Sequence, residues 1–409
     1  MRQNFLPLVF QPSQAFRALG ISLFLFTLNV ANVSAFEIIT YGDTDTPMAE
    51  TLAFSKDSLG ADLDSLGFYK ISAAISGLVG HQTNPVVGNN GTISDLSNAQ
   101  VVIEKQEGPI QLFAVAGSYA MPALGAPYVR SSVLPNNTWG YLPAGWLKFP
   151  ANDELSVSIG KLFAIGGAEG TFTYENINIQ RGLLWNQSSS ISKGVQIDYD
   201  AGDIYATLAL TDGSYSNKYN WLGAQVNYQL NKINAITLSW NGALSGNSLQ
   251  TDSTPMLQNN SQISTFIYSY KTPHLTLTPY IQYTYVPENQ SIGIMGNGST
   301  QGAALLATYR LFPLSEDGMP PHRNVSFPVR IEYISTKGNA NYSDQNLLFG
   351  PNSAAWSATV TPTYQIGMYF ARLEASYVRA INATEGTAFG VSGTANNQAR
   401  FMVEGGILF

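Results

Sequence analysis

Apolar and polar positions alternate with a period of two along most of this chain. The last segment is the clearest case. Phe401, Val403, Gly405, Ile407 and Phe409 share one face, and Arg400, Met402, Glu404, Gly406 and Leu408 share the other. Tyr369, Ala371, Leu373, Ala375 and Tyr377 alternate with Phe370, Arg372, Glu374 and Ser376. Trp356, Ala358, Val360, Pro362 and Tyr364 alternate with Ser357, Thr359, Thr361 and Thr363. Shorter runs repeat the pattern around Leu222, Ala224, Val226 and Tyr228, and around Val329, Ile331 and Tyr333. Successive side chains of a strand point to opposite sides, so the pattern predicts strands with one apolar and one polar face.

A soluble two-sheet sandwich alternates as well. Three features favour a membrane barrel. The apolar faces repeatedly end in Tyr, Trp or Phe, as interfacial girdles do. Short and long connections alternate. The chain ends on Phe409 with Ile407, Gly405, Val403 and Phe401 on the same face, which resembles the C-terminal signal read by the outer-membrane barrel-assembly machinery. The short connections fall at residues 106–108, 150–152, 200–202, 231–232, 272–273 and 365–367, rich in the turn formers Gly, Pro, Asn and Asp. The long ones fall at 81–97, 120–140, 165–191, 242–261, 287–299, 338–353 and 382–396. One connection, 313–324, falls on the short-turn side by parity yet is long and Pro-rich. Counting back from Phe409 and requiring an even number gives about sixteen strands, starting near Phe68 and including a weak one at 142–149; fourteen is the alternative. The expected fold is therefore all-β, a transmembrane antiparallel up-and-down barrel with short periplasmic turns and long external connections.

Composition agrees. Charged residues make up 11% of the 409 residues, and Tyr (22) and Phe (20) dominate the aromatics. The mean hydropathy of -0.01 is too low for a bundle of membrane helices, and no later stretch is long and apolar enough to be one. There is no cysteine, which excludes disulfides, thiolate metal sites and a Cys nucleophile. A pI near 5.0 argues against nucleic acid as a partner. No cofactor or metal site is expected. His81, His274 and His322 are scattered, and none sits in a catalytic motif.

Residues 1–35 read as a cleaved signal peptide. Arg2 and Arg17 give a basic start, residues 18–26 an apolar core, and Val33-Ser34-Ala35 a small-residue cleavage site. Residues 36–66 lack alternation and read as a periplasmic segment or partial plug, followed by the barrel at 67–409. The expected location is the bacterial outer membrane, in contact with its lipid.

Within 153–199, Gly160-Lys161-Leu162, Gly166-Gly167-Ala168-Glu169, Asn176, Asn178, Arg181-Gly182-Leu183-Leu184 and Gly194-Val195 follow in an order and spacing that resembles the OmpL-like β-barrel porin family. Gln180 and Ser188-Ser189-Ser190 depart from that family's pattern. The resemblance implies a diffusion channel, and it leaves a homotrimer open. The residues themselves lead to the same place. The long connection 165–191 carries Phe172, Tyr174, Ile177, Ile179, Leu183, Leu184 and Trp185, too many apolar groups for a solvated loop. The expectation is that it folds into the barrel and narrows the pore, with Glu169, Glu175 and Arg181 near the constriction. The alternative is packing against a neighbouring subunit or an extra strand pair.

Alternation also assigns the lumen charges: Lys70, Arg310, Arg330, Arg372 and Arg400 against Glu104, Asp198, Asp200, Glu332, Glu374 and Glu404. The near balance predicts no strong ion selectivity. Acids on the inward connection facing arginines on the wall would create a transverse field that favours polar solutes. The plainer reading is that Arg330 and Glu332, and Arg372 and Glu374, pair with neighbours. Lys161 breaks strict alternation, through a bulge near Gly160 or because it lies beyond the apolar band. The functional expectation is a porin for passive diffusion of small hydrophilic solutes or ions, and not an enzyme. The competing readings are a plugged barrel acting as receptor, adhesin or selective transporter, and an outer-membrane hydrolase using one of the histidines as base.

Overall fold

The computed structural model describes residues 52–54, 59–62, 68–315, 320–338 and 347–409. The expected signal peptide and most of 36–66 lie outside the described residues. The strands are β1 (Leu59–Asp62), β2 (Phe68–Gln82), β3 (Thr92–Lys105), β4 (Gln111–Tyr119), β5 (Ala144–Pro150), β6 (Leu155–Phe163), β7 (Ile191–Asp200), β8 (Ile204–Thr211) and β9 (Trp221–Asn231). They continue as β10 (Asn234–Ala243), β11 (Gln262–Lys271), β12 (Leu275–Val286), β13 (Gly298–Arg310), β14 (Arg323–Lys337), β15 (Ala354–Val360), β16 (Thr363–Ile366), β17 (Tyr369–Ile381) and β18 (Asn397–Leu408). Among the described residues no helix is long and apolar enough to cross a membrane.

From β2 onward each strand pairs antiparallel with the next, except that β15 and β16 each pair with β14 and β17 and not with one another, and β18 returns to β2 with Arg400 opposite Gln82 and Leu408 opposite Ala74. β15 and β16 are two halves of one wall strand interrupted at Pro362, which has no N–H to give to the ladder. Counted so, the wall is a closed barrel of 16 strands, and the fourteen-strand alternative falls. Closure leaves no free edge, so every wall strand is hydrogen-bonded on both sides within the bilayer. Phe409 is held there: its N–H donates to Ala73 at 2.9 Å, and Ala73 N–H donates back at 2.8 Å.

The alternation puts the apolar residues outside. Ile159, Leu238, Ile281, Leu373 and Phe401 are exposed on the outer face, while their chain neighbours Ser158, Thr237, Gln282, Arg372 and Arg400 are buried inside. This reverses a soluble protein, because lipid rather than the interior solvates the apolar face.

Some boundaries differ from expectation. The connection expected at 81–97 is only 83–91, because β3 already starts at Thr92. Asn98 lies opposite Ser76 and Leu96 opposite Gly77, so Ser97 is an extra residue at a bulge. That extra residue breaks the alternation across Ser94–Asn98, which then reads as a loop. A long connection at 212–220 joins those expected. Asp200, assigned to the lumen, is exposed at the end of β7. The pairing through Gly160 and Lys161 runs without a register shift, so no bulge explains Lys161. Its ammonium donates instead to the carbonyls of Trp139 and Leu142, at 3.1 and 2.8 Å, in the connection 120–143.

Candidate functional site: the inward connection and its wall

Residues 164–190 join β6 to β7 at the external end, yet Phe172, Tyr174, Ile177, Ile179, Leu183 and Leu184 are all buried. The segment has no strand of its own, only short turns at Thr173–Glu175 and Trp185–Gln187 and an isolated parallel bridge from Arg181 to Ala123. A backbone buried without strand or helix must find other hydrogen-bond partners. Here the charged wall residues of β14, β17 and β18 supply them.

The wall carboxylates take the N–H groups. Glu374 accepts from Ile179 N at 2.5 Å, from the Gln180 side-chain amide at 2.7 Å and from Thr361 at 3.0 Å. Glu332 accepts from Leu183 N at 3.1 Å, Leu184 N at 3.3 Å and the Ser357 hydroxyl at 2.7 Å. Glu404 accepts from the Thr173 hydroxyl at 2.8 Å. The arginines take the carbonyls. Arg330 donates to Gln180 O at 2.7 Å, Arg372 to Thr173 O and Asn176 O at 2.7 and 2.8 Å, and Arg400 to the Gln180 side-chain oxygen at 2.8 Å. Arg400 also reaches Ala123 O and Ala126 O of the connection 120–143. Charges join these groups as well. Arg330 pairs with Glu169 of the connection and lies 3.3 Å from Glu332, and Arg372 pairs with Glu404.

Gly182 belongs to this docking. A Cβ there would run into the Glu332 carboxylate, so only glycine lets the backbone come this close to β14.

The sequence candidates therefore sort into three groups. Glu169, Arg330, Glu332, Arg372, Glu374, Arg400 and Glu404 come together where the connection meets the wall. Glu175 holds the connection to itself, and Arg181 holds it both to itself and to the connection 120–143. Arg181 donates to the carbonyls of Gly170, Thr171 and Pro122, and Glu175 accepts from Phe172 N at 2.8 Å. Glu175 does not face the wall arginines, contrary to the transverse-field expectation. Only Glu169 faces one of them. Arg310 stands apart near the periplasmic end, where it donates to Thr276 at 2.8 Å.

Burial pushes the Glu175 carboxyl up to about 7, partly offset by the Phe172 N–H and the charge of Arg181. Burial acts in the same direction on Glu169, against the pull of Arg330. The residues that the pattern of charges missed are the neutral ones, Thr173, Asn176 and Gln180. Their signal was present: Asn176, Asn178 and Gln180 alternate with Ile177 and Ile179 inside a connection. Of the histidines, His274 places a ring nitrogen 3.0 Å from Arg310 O, His322 sits against Gly367, and His81 is exposed.

At the periplasmic end, residues 52–54 enter the barrel. The Gln365 side-chain amide brackets the backbone of Ala53, accepting its N–H at 3.2 Å and donating to its carbonyl at 2.5 Å. Phe54 packs edge-on against Tyr174 of the inward connection, 5.7 Å between ring centres.

A closed sixteen-strand barrel with an apolar belt and a connection folded into its lumen defines an outer-membrane channel of the porin class. Solved porins share this fold. An anion-selective porin from Comamonas acidovorans superposes with a TM-score of 0.54 at 11% identity, over 83% of this chain and 99% of that one. OmpF of Salmonella typhi, solved with daunomycin, gives 0.52 at 11% identity over 84% and 98%. The outer-membrane channel DcaP of Acinetobacter baumannii gives 0.51 at 8% identity over 83% and 97%. At such identities the likeness is one of fold. No curated protein matches the sequence. The family described as "Putative beta-barrel porin-2, OmpL-like" matches residues 69–409, and the chain belongs to it.

Proposed function

We propose that this protein is a porin through which small hydrophilic solutes and ions diffuse passively across the outer membrane, after export by a signal peptide at residues 1–35 and insertion by the barrel-assembly machinery. The observation that carries this reading is the polar inner face of a sixteen-strand barrel, a size that leaves room for water in the lumen. Diffusion needs no catalytic step, and the reading assigns none. In it, Arg330, Glu332, Arg372, Glu374, Arg400 and Glu404 position the inward connection and so set how much of the lumen stays open. They do not act as a bare ring of charges. A homotrimer, as porins often form, is compatible with the wide apolar outer face. Planar-bilayer recording of the purified full chain tests the proposal. Stable ohmic steps are expected, and silence from a folded, heat-modifiable barrel would overturn it.

A second reading has its own observation. The clasp of Gln365 on Ala53, under the connection at Tyr174, suits a plugged barrel in which the N-terminal segment closes the periplasmic mouth. Deleting residues 36–54 then opens a channel that the full chain lacks. Equal conductance with and without the segment would rule this reading out.

A further inference from the structure

The outer face of the barrel carries few charges, and they have one sign. On β2–β18 the charged residues that share a face with the exposed apolar ones are Lys105, Lys161, Lys193, Arg323, Lys337 and Arg379. No Asp or Glu on the described part of these strands faces that way, although the chain has 27 Asp and Glu against 20 Lys and Arg. Two of the six are direct neighbours at the external end, where Lys161 on β6 lies opposite Lys193 on β7. Like charges placed so repel one another.

The protein offsets this repulsion only in part. Lys161 spends two of its three N–H donors on the neutral carbonyls of Trp139 and Leu142, and so keeps its whole charge. Lys193 donates to Asn217 and lies 3.4 Å from the buried Asp212. Both ammonium groups approach the ring of Tyr215, Lys193 to 3.9 Å and Lys161 to 5.4 Å. Lys218, exposed on the connection 212–220, follows Asn217 and donates to Gly246 O at 2.6 Å. Asp212 is the one acid in these contacts, against three lysines. Two residues nearer the periplasm, Ile159, Val195 and Leu210 lie opposite one another in a row, all exposed on the outer face. On the external side, Tyr141, Asn217 and Tyr219 are exposed.

We propose that Lys161 and Lys193 together hold a phosphate group of a glycolipid in the external leaflet. The order of groups along the wall matches such a lipid. Its acyl chains lie on Ile159, Val195 and Leu210, its phosphate meets the two lysines, and its sugar hydroxyls reach Tyr141, Asn217 and Tyr219. Basic groups at the edge of an apolar band attract anionic headgroups, and a phosphate between the lysines replaces their repulsion by two charge-assisted hydrogen bonds. The exposed amide and phenols beyond the lysines favour a sugar headgroup over a simple phospholipid. The site lies on the outside of the wall, so it is independent of what the lumen passes.

The test titrates the full chain in detergent by native mass spectrometry with diphosphorylated lipid A, its dephosphorylated form and phosphatidylglycerol. The first is expected to bind at least about 10-fold more tightly than the other two, as recognition of phosphate by two lysines requires. Equal binding of the dephosphorylated form, or of phosphatidylglycerol, would overturn the proposal. So would displacement of bound lipid A by inorganic phosphate at equal concentration, which would mark a site for free anions. Lys161→Gln with Lys193→Gln, read on heat-modifiable protein, should lose at least about 10-fold in affinity for the first lipid bound. Lys161→Gln alone leaves only two carbonyls without a donor and should lose about 3-fold or more, and it decides the matter if the double variant does not fold. Lys337→Gln with Arg379→Gln, on other strands of the outer face, should bind that lipid as the wild type does. Wild-type affinity in the folded Lys161 variants, or an equal loss in the Lys337 and Arg379 variant, would remove the site from β6 and β7.

Discussion

Arg372 and Glu404 lie directly opposite one another on β17 and β18, and the arginine's Nε and Nη2 both donate to Glu404 Oε2, at 2.8 and 2.5 Å. Both side chains are buried, and both also hold the inward connection, through Thr173 and Asn176. Removing one partner strands a buried charge. Glu404→Ala or Arg372→Ala is therefore expected to destabilise the barrel by about 3–5 kcal/mol, read by urea unfolding in lipid vesicles. The double variant Arg372→Met with Glu404→Leu should recover only part of the loss, because the carbonyls of Thr173 and Asn176 still lack their donor. Full recovery would show that the pair does not serve the connection.

Glu374 and Glu332 together receive the main-chain N–H groups of residues 179, 180, 183 and 184. Each charge-assisted hydrogen bond of this kind contributes about 1.5–3 kcal/mol. The double variant Glu332→Ala with Glu374→Ala should free the connection from the wall. Single-channel records should then show larger and noisier steps than the wild type. A quiet channel of wild-type conductance would mean that the apolar contacts of the connection suffice to hold it.

Gly182→Ala tests the same docking by shape alone. Its Cβ meets the Glu332 carboxylate, so the connection must shift away from β14 or the carboxylate must turn. Overpacking of this sort costs about 1–3 kcal/mol. The variant is expected to resemble the carboxylate variants in conductance although it removes no charge. Stability and conductance both equal to wild type would contradict the close approach.

Docking should also depend on pH. The ordinary glutamate value is 4.5, and burial raises Glu175 to about 7. A raised acid binds more protons in the docked state, so its contribution is fully present below the free value and is lost as pH rises through about 7. Channel noise is expected to grow between pH 5 and pH 8, and Glu175→Gln should remove the part due to this carboxyl. An unchanged pH profile in that variant would assign the dependence to another group, with Glu169 the next to test.

The repeat of two along the chain was enough to establish strands with one apolar and one polar face and the side on which each residue of β17 and β18 lies; the aromatic ends of the faces, the alternating connections and the terminal Phe409 added the membrane barrel. The faces follow from local geometry, since a strand cannot turn one side chain without turning the next. Where one extra residue broke the period, as at Ser97, the sequence misled: a bulge and a loop look alike without the partner strand. The sequence also marked the connection 165–191 as too apolar to float in solvent, and picked out the charges that meet it. What those charges do was decided only in three dimensions. Thr173 reaches Glu404 across 231 residues of chain, and Ile179 reaches Glu374 across 195. Alternation specifies which face a carboxylate shares, but its partner depends on barrel closure and on the course of a segment with no period of its own.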